Sequence, residues 1–318
     1  MEVLRTPRSR FDDLADFPFD PAFITLRDEL QMHYVEAGPV DGEPVVLLHG
    51  QPTWSYLYRH VMPVLAEHGF RALAPDLIGY GQSDKPASRS AYSVRNHIGW
   101  LHEFFEQLDL EGVTMVVQDW GGPVGLAVLA RDPDRMARVV ATNTVLHTAD
   151  RSLEGALTWA CHSDSTGHVV VESALLDYQR LTQELPEFHP SLFVQGATVS
   201  EVGDEALAAY DAPFPDETYC AGPRQLPLLM GLSPGSSCAR QNQKTLAALA
   251  GFDRPFLTAF SDSDPSTAGW ERIFQERIPG TAGQAHTTIA GAGHFVQEDQ
   301  GTELGRIVVQ FARDNPIP

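Results

Sequence analysis

The stretch VVQDWGGPVG, Val116 to Gly125, sets a carboxylate, an indole and two glycines where a β-branched apolar run stops and a helical pattern starts. A carboxylate on a sharp strand-to-helix turn is poised as a nucleophile, because the first helical N–H groups and the helix dipole favour its charge and its line of attack is open. Attack by Asp119 on an sp³ carbon would displace a leaving group and leave an alkyl ester. That ester must then be hydrolysed. An imidazole oriented by a second carboxylate can activate water for this at neutral pH.

Two later stretches supply the imidazole and the carboxylate. TAFSDSDPSTAGW holds Asp262 and Asp264 after an apolar run, and Pro265 favours an exposed turn just past Asp264, which is therefore expected to be the orienting acid with Asp262 in reserve. IAGAGHFVQEDQG carries His294 beyond the next strand pattern. The chain holds 12 histidines and a lone one is usually structural. The order nucleophile, acid, His, each after a strand, is what singles out His294. An anion formed on the ester needs main-chain N–H donors, expected from Gln51 in the HGQP turn and from Trp120. The Trp120 side chain adds an Nε1–H that donates without accepting, suited to a soft anion such as halide.

These residues need elements to carry them. Hydropathy patterning predicts strands at Pro44 to Leu48, Arg71 to Pro75, Val113 to Val117, Arg138 to Thr142, Pro255 to Phe260 and His286 to Ile289. It predicts helices at Trp54 to Glu67, Val94 to Leu108, Pro123 to Ala130, Trp270 to Arg277 and Glu303 to Arg313. Such alternation implies an α/β protein with a mostly parallel sheet flanked by helices. Between Val145 and Gln243 the rhythm breaks, so residues 145–243 are read as an inserted, mainly helical cap over the sheet's C-terminal edge, with 1–144 and 244–318 forming the core domain. Ligands of open α/β sheets bind at that edge.

The composition narrows the partners. Forty-two acidic against 22 basic residues give a formal charge of −20, which repels phosphate backbones and anionic membranes. No nucleic acid or membrane partner is expected. Cys161, Cys220 and Cys238 are far apart and odd in number, and the first twenty residues hold no apolar signal core, so a cytoplasmic, soluble protein is expected, a monomer or weak homo-oligomer. No His/Cys/Glu cluster has zinc spacing, GYGQSDKP lacks the phosphate-loop spacing, and no metal or cofactor is expected.

HGQPTWSYLYR, APDLIGYGQSDKP, VVQDWGGPVGL and GAGHFVQED, in this order, resemble the haloalkane dehalogenases of the α/β-hydrolase fold, and the likeness spans most of the chain. The resemblance implies hydrolysis of carbon–halogen bonds in small haloalkanes to alcohol, halide and a proton, with Asp119 as nucleophile, His294 as general base, Asp264 as its acid and Trp120 as first halide donor. The family's second halide donor is an Asn at the position of Gln51 or a Trp in the cap. Gln51 is not Asn, so the chain resembles the branch that uses the cap Trp. That branch more often has Glu there, and the exchange would spare main-chain donation while weakening any side-chain hold on the hydrolytic water.

Counting forward from ATNT brings Trp159 to the family's Trp, whereas counting back from AYDAPFPDE brings Tyr178 there. Indole chemistry favours Trp159, with Tyr178 the alternative. Two other readings stand beside the dehalogenase. An epoxide hydrolase would share the Asp nucleophile, His and acid and add cap tyrosines, for which Tyr178, Tyr210 and Tyr219 are available. A non-catalytic binding protein on the same fold would typically have lost the nucleophile or the His.

Overall fold

The computed structural model describes residues 1–150, 160–163, 169–172 and 174–317. Eight strands form one sheet: β1 (Pro21–Thr25), β2 (Gln31–Ala37), β3 (Pro44–Leu48), β4 (Arg71–Pro75), β5 (Val113–Asp119), β6 (Met136–Thr144), β7 (Phe256–Ser261) and β8 (Thr287–Ile289). Their spatial order is β8-β7-β6-β5-β3-β4-β2-β1. From β4 to β8 all pairings are parallel, while β2 pairs antiparallel with both β4 and β1. The alternation pattern did not anticipate β1 and β2. β1 alternates exposed with partly or fully buried residues, as an edge strand does, and lacks the continuous apolar run of the inner strands.

Central strands are apolar because both faces are covered. Val45, Val46, Leu47 and Leu48 of β3 are fully buried, each contributing about 1.5–3 kcal/mol. The helices are α1 (Met62–Glu67), α2 (Val94–Gln107), α3 (Gly121–Arg131), α4 (Ala174–Glu184), α5 (Pro190–Gly196), α6 (Asp204–Asp211), α7 (Ala221–Gln225), α8 (Ser237–Leu249), α9 (Trp270–Arg277) and α10 (Val296–Asp314). α3 packs on both α2 and α8, and α1 packs on α10. α2 shows why its segment is helical: Ser93 caps it by accepting from Asn96 N at 3.1 Å, and Ile98, Leu101, Phe104 and Phe105 form its buried stripe.

Four expectations need correcting. Trp54 to Glu67 is not one helix: a 3₁₀ turn covers Ser55–Tyr58 and α1 starts afresh, with Pro63 in its first turn, where a missing N–H costs nothing. Residues 145–243 are not without strands, since Ala160–Ser163 pairs antiparallel with Val169–Glu172, whose three consecutive valines favour extended backbone. The proposed boundary at residue 243 falls inside α8, whose thirteen-residue run is capped by Ser236 and continuous across it. The closing helix begins earlier than Glu303, at Val296, with a non-helical break at Gln300.

The parallel strands run β4 to one side of β3 and β5 to the other, so the chain reverses its direction of travel across the sheet between β3 and β5. The loops leaving those two strands diverge there and open a crevice. Gln51 follows β3, and Asp119 ends β5.

Candidate active site

Asp119 holds φ at +47°, a left-handed conformation costing a non-glycine residue about 1–3 kcal/mol. Two contacts offset that cost. Thr144 Oγ1 donates to the Asp119 carbonyl at 2.7 Å, and Gln51 N donates to Asp119 Oδ1 at 2.6 Å. The glycines around the turn permit the close approach. A Cβ on Gly50 would sit 2.2 Å from Asp119 Oδ1 and 2.6 Å from Trp120 N, and one on Gly122 would sit 1.8 Å from Thr144 Oγ1. The N–H groups of Gln51 and Trp120 thus border the same small space beside the carboxylate, although only Gln51 N bonds to it.

His294 lies between two carboxylates. Its Nδ1 is 2.9 Å from Asp264 Oδ2 and its Nε2 is 3.5 Å from Asp119 Oδ2. Burial pulls the imidazole pKa down, but the charges of Asp264 and Asp119 and their hydrogen bonds outweigh it and push it up to about 10. Burial opposes ionisation of Asp264 too; His294, Thr267 Oγ1 and Ser266 N together hold its pKa below the usual carboxylate range. The Asp264 side chain is 1% exposed, while the turn that follows it, as expected, is at the surface, with Pro265 exposed. Asp262 serves elsewhere: exposed, it accepts from Gly291 N at 3.0 Å and Ala292 N at 3.3 Å and fastens the turn leading to His294.

Several residues that hold the His294 loop went unnoticed in the sequence. Asn143 Nδ2 donates to Gly293 O at 2.8 Å and His294 O at 3.0 Å. Asp299 accepts from Gly293 N at 2.8 Å and from Ser200 N at 2.7 Å, while His294 N donates to Ala197 O at 2.8 Å. The His294 loop is therefore fastened to the inserted segment as well as to the sheet. Glu298, buried, takes a bidentate ion pair from Arg59 and the hydroxyl of Tyr210. The QED following His294 was the available signal, but spacing alone cannot say what a charged run will bind.

Of the five tryptophans, Trp54 and Trp100 spend their indole N–H groups on Ala209 O (3.1 Å) and Asp28 Oδ2 (2.8 Å), and Trp270 is buried against His147 and Phe274. Trp120 instead lines a small hollow of about 40 Å³ with Asp119, Leu175, Met230 and His294. Trp159 lies outside the described residues. Tyr178, on α4, lines a larger cavity of about 510 Å³ with Gln51, Asp119, Asp264 and His294, and Leu181, Leu185, Leu192 and Phe193 make its wall apolar. The Tyr178 hydroxyl is buried and lies beside the Gln51 side chain. Burial first, then the charge of Asp119, hold the phenol protonated by raising its pKa well above the ordinary value. Tyr210 is committed to Glu298, and Tyr219 is not among the residues lining either space.

Gln51 is held firmly by its side chain. Its Nε2 donates to Pro223 O at 2.8 Å and its Oε1 accepts from the Tyr80 hydroxyl. Among the described residues no cluster of His, Cys, Asp and Glu could hold a metal ion, and no helix is long and apolar enough to cross a membrane.

A parallel sheet with an antiparallel edge, carrying two carboxylates and an imidazole on loops at its C-terminal edge, defines a protein of the α/β-hydrolase fold, and residues 43–162 match the family model described as alpha/beta hydrolase fold. The chain is 46% identical to a haloalkane dehalogenase of Psychrobacter cryohalolentis, over 99% of this chain and all of the relative. It is 42% identical to one of Mycolicibacterium paratuberculosis, over 98% of each. The solved tetrameric haloalkane dehalogenase of Paraglaciecola agarilytica superposes with a TM-score of 0.82 at 29% identity, covering 96% of this chain and 97% of that one. The chain belongs to the haloalkane dehalogenase family.

Proposed function

We propose that the chain hydrolyses the carbon–halogen bond of small haloalkanes to alcohol, halide and a proton, through an alkyl ester on Asp119. The observation that carries this reading is Asp119 itself, a carboxylate held on a strained turn with one oxygen on Gln51 N and the other 3.5 Å from His294 Nε2, facing an apolar cavity. Asp119 attacks the carbon in line and the C–X electron pair leaves with the halide. His294, oriented by Asp264, then takes a proton from water as the hydroxide adds to the ester carbonyl. Gln51 N–H, joined by Trp120 N–H, stabilises the oxyanion; on collapse the alkoxide takes the proton from His294 and leaves as the alcohol, and the acid so formed loses its proton to regenerate the carboxylate.

Esterification also prepares the base. In the free enzyme two negative charges hold the proton on His294. The ester removes one of them, so the imidazole becomes able to give up its proton and act on water when that step requires it. The inserted segment, which supplies Leu181, Leu185, Leu192 and Phe193 to the cavity wall, acts as a cap over it.

Trp120 Nε1–H is the first halide donor, and the Tyr178 hydroxyl is the second, in place of the indole favoured by the sequence. A protonated, buried phenol that lines the cavity near Asp119 supports that choice. Tyr178→Phe is expected to weaken halide binding by about tenfold, the loss of one hydrogen bond to a charged acceptor, when bromide binding is titrated by Trp fluorescence. Unchanged affinity would return the role to Trp159. An epoxide hydrolase with a pair of cap tyrosines is poorly served, because Tyr178 is the one candidate among the three that lines the cavity. The direct test is halide and proton release from brominated and chlorinated terminal alkanes, run beside styrene oxide. Equal halide and proton, with no diol, is the expected result, and epoxide turnover without halide would reverse the assignment.

A further inference from the structure

Gln118 is the one polar residue between the valines of β5 and Asp119, it is fully buried, and the proposed reaction gives it no part. Its Nε2 lies 3.2 Å from the carbonyl oxygen of His294 and 3.2 Å from Nε2 of the same residue's ring. A carbonyl oxygen only accepts, so the amide must present its NH₂ end there. The second hydrogen of that group then faces the ring nitrogen. Turning the amide over would set oxygen against oxygen, so the polarity of the contact is fixed by the His294 main chain. Gln118 Oε1, at the other end, is buried with no hydrogen-bond partner, an omission costing about 1–3 kcal/mol. An amide selected for packing alone gains nothing from that arrangement.

A donor facing His294 Nε2 is attractive when that nitrogen carries a lone pair and repulsive when it carries a proton. The lone-pair form is the neutral imidazole with Nδ1–H on Asp264, the form that must abstract a proton from water. We infer that Gln118 is a positioning residue for His294: its amide NH₂, anchored on the His294 carbonyl, lies beside Nε2, where its positive edge disfavours a proton on that nitrogen and favours the neutral imidazole, whose lone pair stays open to water during ester hydrolysis. The inference rests on the ester mechanism above. The charged groups facing the ring are Asp119 at the end of β5 and Asp264 after β7, both of which favour the protonated form, and the Phe295 ring packs at 4.8 Å. Gln118 opposes the two carboxylates. Once Asp119 is esterified it opposes Asp264 alone.

The test separates the two half-reactions by rapid quench, following the first equivalent of halide and the decay of the alkyl-enzyme mass across pH. In Gln118→Met the halide burst should keep its rate, while ester hydrolysis slows by about tenfold at neutral pH and its pH limb moves upward by about one unit. Gln118→Glu, which adds a negative charge at the same place, should move the limb further in the same direction and accumulate ester. Equal slowing of both phases, or a limb that stays where it was, would overturn the inference and leave Gln118 a packing residue. Should either variant fail to fold, nitrogen NMR of His294 in Asp119→Asn, whose neutral side chain mimics the ester, decides. An Nδ1–H tautomer with a hydrogen-bonded Nε2 is expected, and an Nε2–H tautomer refutes it. Absence of any halide release from the unaltered enzyme would count against the dehalogenase reading instead.

Discussion

His294→Phe should release one equivalent of halide and then stop, with the enzyme carrying the alkyl group on Asp119. The two steps make different demands. Displacement needs the Asp119 carboxylate and a place for the halide, and neither involves His294 as a base. Ester hydrolysis needs a proton taken from water, and removing a positioned base typically costs about 10²- to 10⁴-fold. Phe retains the flat ring while removing both nitrogens, so the contacts to Asp264 and Asp119 go but most of the volume stays. Mass spectrometry of the intact protein after mixing with a reactive bromide should show the added alkyl mass in nearly every molecule. A protein that releases no halide would mean that the imidazole is needed for the first step, and continued turnover would mean that another group activates water.

Asp119→Ala should abolish halide release, a loss of at least about 10⁴-fold, because no other carboxylate stands on the turn beside Gln51 N and no second route to displacement is available. Residual release near the original rate would remove the covalent mechanism. Asp119→Asn isolates a different consequence. It keeps the shape of the turn but deletes one of the two charges that raise His294, so the imidazole should titrate below its starting value of about 10, as NMR can follow. The sign of the linked stability follows. The folded state binds this proton more tightly than the unfolded chain, whose imidazole titrates near 6.5, so the stabilisation is complete below that pH and is lost as pH rises toward about 10. In Asp119→Asn the window should narrow from its alkaline end, measurable by chemical denaturation at a series of pH values.

The His294 loop shows how far a linear pattern reaches. GAGHF singled out His294 as the candidate base, and TAFSDSDP confined the candidate acid to Asp262 or Asp264. The fold put the second on Nδ1 of His294 and the first on the backbone of Gly291 and Ala292, a division that two residues of spacing cannot express. HGQP likewise offered a histidine beside the site, His49, whose two ring nitrogens are both engaged by the backbone. His49 accepts from Leu77 N at 2.9 Å and donates to Gly50 O at 2.9 Å, bracing the turn that brings Gln51 N to the nucleophile. Its neutrality follows from burial, which lowers its pKa despite the nearby charges of Asp76 and Asp119.

By itself the sequence determined the succession of strands and helices along the chain for the parallel part of the sheet, the turn that bears Asp119 and the identity of the nucleophile, acid and base candidates. Each depends on residues adjacent in the chain, where apolar periodicity, glycine placement and turn chemistry act locally. Only the tertiary structure decided which aspartate meets His294, that Tyr178 enters the cavity while Tyr210 goes to Glu298, that Asn143 and Asp299 hold the base, and that Gln118 faces its ring. These contacts join residues far apart in sequence. Their hydrogen-bond partners are chosen by how the loops and the inserted segment pack over the sheet edge, and no local pattern of residue types encodes that choice.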